Sequence, residues 1–110
     1  MLGDSSEVDN ILYLINDNDD LEVIGYNKEI NATSIEIPEQ AEGKQVVAIA
    51  NNAFENSGVE EITIPLTVLS IDETAFKGCE SLSKIIGTEY SYAETYASEH
   101  GFEFDAVVED

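Results

Sequence analysis

The sequence predicts a β-rich α+β fold: a short solenoid of two stacked strand-turn-strand repeats, with an N-terminal β-hairpin cap and a C-terminal helix cap. Three observations predict it. The segment Val46-Val47-Ala48-Ile49-Ala50-Asn51-Asn52-Ala53-Phe54 matches Val68-Leu69-Ser70-Ile71-Asp72-Glu73-Thr74-Ala75-Phe76 at an offset of 22 residues, apolar on apolar and Ala-Phe on Ala-Phe. The phrase Ile35-Glu36-Ile37-Pro38 returns as Ile62-Thr63-Ile64-Pro65 at an offset of 27. Further on, Ser91-x-x-Glu94 opens a segment whose apolar residues fall at helical spacing. Self-similarity at such a period marks repeat units that bury their apolar faces against one another.

In chain order, residues 1–8 read as a flexible lead-in and residues 9–34 as the hairpin cap. Ile11 to Ile15 and Leu21 to Tyr26 are apolar runs on either side of Asn16-Asp17-Asn18-Asp19-Asp20, a turn composition. Residues 35–87 hold the repeats. Each unit is an Ile-x-Ile strand stopped by proline, a turn, a second short strand ending at Ile49 or Ile71, and a tight corner carrying Ala-Phe. The alternation of two places Ile35 and Ile37 on one face and Glu36 on the other. The five residues by which the two offsets differ form a loop within 39–45, and a third, partial copy starts at Lys84-Ile85-Ile86-Gly87. Stacking then aligns Ile35, Ile62 and Ile85 in one interior ladder, with Phe54 and Phe76 in another at the corner.

Residues 88–104 read as the C-terminal cap and 105–110 as an acidic tail. Ser91 and Glu94 form a capping box, Tyr92, Ala93, Tyr96 and Ala97 share one helical face, and Gly101 supplies a stop. The tyrosines on that face read as core contacts rather than a ligand platform. At 110 residues the whole is one domain.

At these residues the chain resembles the BspA-type leucine-rich repeats of bacterial surface proteins. The second unit carries nearly the whole family phrase, as Ile62-Thr63-Ile64-Pro65, Val68-Leu69-Ser70-Ile71, Ala75-Phe76, Gly78-Cys79 and Ser81-Leu82. The first unit departs at Asn56-Ser57-Gly58-Val59, a turn one residue shorter. The ending from Ser91 to Ala97, with Phe102 and Phe104, is also similar to the family's closing segment. The resemblance covers about residues 21 to 104. It implies a leucine-rich-repeat-like solenoid and a secreted or surface-displayed binding module, extracellular in location, rather than an enzyme.

Charge narrows the partners. The chain has 24 acidic residues against four Lys+Arg, all lysine, and a formal net charge of −20. Such a surface repels nucleic acid and anionic membranes, and arginine, the usual reader of phosphate and guanine, is missing. The plain reading of the excess acid is solubility. Met1-Leu2-Gly3-Asp4-Ser5-Ser6 lacks the basic start and apolar run of a secretory signal, so the expectation is either a cytoplasmic protein or a mature fragment. The apolar runs are all far shorter than the ~20 residues that cross a bilayer, so no membrane insertion is expected. One cysteine forms no internal disulfide framework.

Several constellations invite chemistry and have plainer readings. Asn16 to Asp20 has neither the glycine nor the glutamate of a calcium loop, so it reads as a solvated turn. Cys79 and His100 are the sole thiol and imidazole. Cys79 occupies an inward position of the repeat, and His100 sits at a helix end where it favours the dipole. Glu60-Glu61 and Asp72-Glu73 are chance pairs in so acidic a chain, and no tryptophan is present to stack on sugar. Asp72 reads instead as a cap on the turn before Ala75-Phe76. Asn31-Ala32-Thr33 matches a glycosylation sequon but reads as a polar loop. Neither a catalytic set, a metal site nor a cofactor is expected.

The expected function is a non-catalytic interaction or adhesion module that holds a protein or glycan on its strand face. Ser34, Glu36, Glu61, Thr63, Lys84 and Ile86 point outward if the isoleucine ladder points in. Two alternatives stand beside it: an acidic, inhibitor-like or immunity-like protein complementing a basic partner, and a structural spacer in a longer repeat array.

Overall fold

The computed structural model describes residues 5–8, 10–27 and 33–107. Its elements are β1 (Ser5–Val8), β2 (Ile11–Ile15), β3 (Leu21–Tyr26), β4 (Ser34–Glu36), β5 (Gln40–Ala41), β6 (Lys44–Ile49), β7 (Glu61–Ile64), β8 (Ser70–Ile71), β9 (Lys84–Gly87), α1 (Tyr92–His100) and β10 (Glu103–Ala106). They form two sheets. One runs β1-β2-β3-β6-β5 with β8 also paired to β6; the other runs β4-β7-β9-β10 and is parallel throughout.

The second sheet carries the ladder that alternation predicts. Ile35 pairs with Ile62 and Ile62 with Ile85, and Phe104 of β10 extends the row. Ile35, Ile62 and Ile85 are all buried. In the first sheet Val23, Ile49 and Ile71 pair in the same way, one from each of β3, β6 and β8. Both rows belong to one apolar core. Each fully buried aliphatic side chain stabilises the fold by about 1.5–3 kcal/mol relative to exposure.

The corners stack as expected, and the structure shows why they hold. The rings of Phe54 and Phe76 lie 5.5 Å apart and nearly coplanar at 9°. Main-chain bonds join one corner to the next, from Phe54 N–H to Ala75 C=O at 2.8 Å and from Asn56 N–H to Lys77 C=O at 2.8 Å. Asn56 and Gly78 occupy the same turn with left-handed φ values of 60° and 77°. A Cβ at Gly78 would lie 2.0 Å from Asn56 Oδ1, so a side chain there would force the Asn56 amide to turn away and would be strained by the positive φ. Ser57 stands in the place of Cys79, 22 residues on, with Oγ and Sγ 3.2 Å apart. The departure at Asn56-Ser57 thus preserves the backbone of Gly78-Cys79, and the missing residue is taken up after Ser57.

Four expectations change. Ser5–Val8 does not belong to a flexible lead-in but pairs with β2 as an antiparallel strand. The loop within 39–45 is a small hairpin, β5 on β6, turned at Glu42 and Gly43 with both φ values positive as a two-residue hairpin turn requires. The hairpin β2-β3 forms, yet β3 also pairs parallel with β6, and the ring of Tyr26 lies 5.4 Å from that of Phe54. Leu21–Tyr26 is therefore a coil of the stack in its own right. Finally, Asp105 and Ala106 of the acidic tail lie in β10, which pairs along the whole of β9. Asn31 and Ala32 of the sequon lie outside the described residues.

Helix α1 forms where its spacing predicts, with Ala93, Tyr96 and Ala97 buried and Gly101 ending it at φ 76°. The capping box does not form as drawn. Ser91 Oγ donates to Thr88 C=O, and Glu94 Oε1 accepts from Tyr90 N–H at 2.6 Å, one residue earlier than the box requires. The tight turn 88–91 holds Ser91 toward Thr88 and so moves the carboxylate's partner back by one. Gly87 brings the helix close, since a Cβ there would lie 3.0 Å from Ile64 O and 3.1 Å from Ala93 Cβ.

Candidate functional site

The outward face of the parallel sheet is built by register. Ser34, Glu61, Lys84 and Glu103 form one row; Glu36, Thr63, Ile86 and Asp105 form the next. The strands lie about 4.8 Å apart, so each row is a ladder of neighbours across the sheet. Ser34 and Glu36 are exposed, as are Glu103 and Asp105, whereas Glu61, Thr63, Lys84 and Ile86 on the two central strands are half-buried. Ser34 Oγ donates to Glu61 Oε1 at 3.3 Å. The face is acidic, with four carboxylates around the single ammonium of Lys84. Glu103 and Asp105 escape the sequence reading because they follow the helix, although the alternation Phe102-Glu103-Phe104-Asp105 signals a strand.

Where β4, β7 and β9 end, the chain turns away after Ile37-Pro38, Ile64-Pro65 and Gly87-Thr88. An open groove of about 250 Å³ runs across these ends, with Glu36 and Glu39 toward the β4 side and Leu66, Thr88 and Val107 lining the remainder. Leu66 is 51 % and Val107 44 % exposed, which places two large apolar side chains at the rim without cover. The repeated Ile-Pro pair is the sequence signal for this groove, since proline stops each strand at the same level.

The constellations with catalytic potential fall apart in space or have structural partners. Cys79 is half-buried rather than fully buried, and it packs against the core while its thiol donates to Phe54 C=O at 2.8 Å. His100 stacks on Tyr96 with ring centroids 4.0 Å apart, and its Nδ1 lies 2.9 Å from Tyr96 O. Among the described residues no hydrogen bond joins thiol to imidazole. Asp72 does act as a cap, accepting from Thr74 N–H at 2.9 Å and Thr74 Oγ1 at 2.7 Å. These two bonds hold its carboxyl below the usual value. In the 16–20 turn, Asn16 Oδ1 accepts from the N–H of Asn18 and of Asp20. No group of three or more His, Cys, Asp or Glu among the described residues is placed to hold a metal ion.

Tyr96 closes the aromatic column. Its ring lies 6.0 Å from Phe76 and 6.3 Å from Phe102. Burial, then Tyr92, then Cys79 push its phenol up from 10.0 to about 12. Because the ionised form is disfavoured only in the fold, the contribution is fully present below pH 10 and is lost as pH rises toward 12. Urea midpoints should therefore fall between pH 10 and 12 in the parent chain and fall less in Tyr96→Phe. Equal declines in both would place the alkaline sensitivity elsewhere.

Strand-rich repeats with in-register ladders and one closing helix define a leucine-rich-repeat-type solenoid. The family model for the BspA type leucine rich repeat region (6 copies) matches residues 19–98, and the chain belongs to that family. The match starts just before β3, in agreement with β3 being a coil of the stack. Two solved structures share the fold. A leucine-rich repeat protein from Bacteroides capillosus is 24% identical over 76% of this chain and 71% of its own, with a TM-score of 0.64. A leucine rich cell surface protein from Faecalibacterium prausnitzii is 23% identical over 78% of this chain and 24% of its own, with a TM-score of 0.69. A search of curated proteins returned no significant match. Repeats of the leucine-rich type generally serve as protein-interaction modules and are typically non-enzymatic. No helix among the described residues is long and apolar enough to cross a membrane.

Proposed function

We propose that this chain is a non-catalytic interaction or adhesion module, displayed at a cell surface or secreted, that holds a protein or glycan partner on the outward face of β4-β7-β9-β10. One observation carries the reading: four parallel strands in unbroken register present two continuous rows of side chains outward while their alternate residues fill the core. Neighbouring coils of a solenoid offer such rows as a single patch. Strands β1-β2, hairpinned onto the first coil at β3, and the segment α1-β10 act as the caps of the stack, covering apolar ends that would otherwise associate.

The test begins with partner capture by immobilised protein. The triple variant Glu36→Lys, Glu61→Lys, Ile86→Asp, checked for an unchanged melting temperature, should lose the partner by about tenfold or more, the scale of a few rim and anchor contacts. Undiminished binding would move the site off this face. The acidic character of the face supports a second reading, complementarity to a basic protein. Binding that weakens steeply from 50 to 300 mM salt, on the order of a Debye-length change, favours that reading over apolar adhesion.

A further inference from the structure

The groove at the strand ends differs from the face it adjoins. Toward β4 it carries Glu36 and Glu39, and neither carboxylate makes an ion pair among the described residues. Further across, it carries the uncovered side chains of Leu66, just after β7, and Val107, just after β10. Its volume of about 250 Å³ falls below the roughly 300–1,000 Å³ of small-molecule pockets, and it is open along its length. A groove of that size takes individual side chains of an extended chain rather than an enclosed ligand. Its two ends differ in chemistry, so its occupant must be polarised in the same sense.

We infer that this groove binds an extended peptide segment with a basic residue at one end and an apolar side chain about four residues along. The inference rests on the interaction-module reading and names the partner's chemistry. The spacing follows from the sheet. From β4 to β10 is three strand spacings, about 14 Å, and an extended chain advances about 3.3 Å per residue. Charge complementarity supplies the basic end: two carboxylates with no ion pair among the described residues sit in a chain of net charge −20 whose cations are four lysines. Burial of the apolar side chain against Val107, with Leu66 along the way, supplies the other. A glycan finds no aromatic platform among the residues lining this groove.

The probe is a fluorescein-labelled hexapeptide, Lys-Lys-Ser-Ser-Leu-Leu, followed by anisotropy in 150 mM salt. The comparison peptides are Lys-Lys-Ser-Ser-Ser-Ser and Glu-Glu-Ser-Ser-Leu-Leu. The expected result is that each comparison peptide binds at least about tenfold more weakly, since each lacks one of the two contacts. The double variant Leu66→Ser, Val107→Ser should weaken the first peptide by about tenfold, whereas Glu55→Gln, Glu80→Gln, at positions that line neither the groove nor the strand face, should not. Equal binding of the two lysine peptides would reduce the interaction to bulk charge attraction and overturn the inference. Loss in the Glu55→Gln, Glu80→Gln variant with none in the groove variant would also overturn it while leaving the interaction module intact. Absence of binding by all three peptides overturns the groove assignment alone, because partner capture tests the module independently.

Discussion

Replacing Phe76 by alanine is expected to cost about 3–5 kcal/mol, a large share of the 5–15 kcal/mol that holds a domain of this kind. Phe76 is buried and its ring touches Phe54 on one side and Tyr96 on the other. Phe54→Ala should cost at least as much, since Phe54 is fully enclosed between Tyr26 and Phe76. Neither cavity can collapse easily, because the corner backbones are tied by the Phe54–Ala75 and Asn56–Lys77 bonds. Urea unfolding measures the loss directly. A change below about half a kcal/mol for either variant would contradict the column as the organising feature of the stack.

Removal of residues 88–110 should be the most damaging change of all. It strips β10 from β9 and removes Tyr96 and Ala93 from the end of the core. Strand β9 would then present a bare edge of four residues above Ile85 and Phe76, inviting edge-to-edge association. Light scattering should show oligomers or aggregates, and the thermal transition should move down by more than about 10 °C or lose cooperativity. Tyr96→Ala tests the same cap within the full chain and should destabilise it by about 3 kcal/mol or more without exposing the strand edge. A truncated chain that stays monomeric with an unchanged melting curve would refute the capping role.

Much of this was legible in the residues. The inward isoleucines, the Ala-Phe corners and the turn 16–20 follow from local spacing, because a strand's period of two sorts its side chains before any neighbour is known. The glycine stop at Gly101 is local in the same sense. The capping box failed for a local reason that spacing cannot express: Ser91 turns to Thr88, and Glu94 takes the next N–H instead. The groove was only half legible. Its Ile-Pro pairs are visible in the chain, but Val107 reaches it through the bond from its own N–H to Gly87 C=O at 2.7 Å, far from those pairs in sequence.

By itself the sequence determined the repeat, its inward ladders and the acidity of whatever surface they leave outside. Tertiary structure decided how Leu21–Tyr26, which lacks the repeat phrase, joins the stack, by parallel pairing with β6, and that Glu103–Ala106 completes the parallel sheet. The physical reason is that alternation dictates which face a strand buries, whereas its partner is set by which edge would otherwise keep unpaired N–H and C=O groups. The exposed edges of β6 and β9 recruited β3 and β10, and with β10 came two of the eight outward side chains on the proposed binding face.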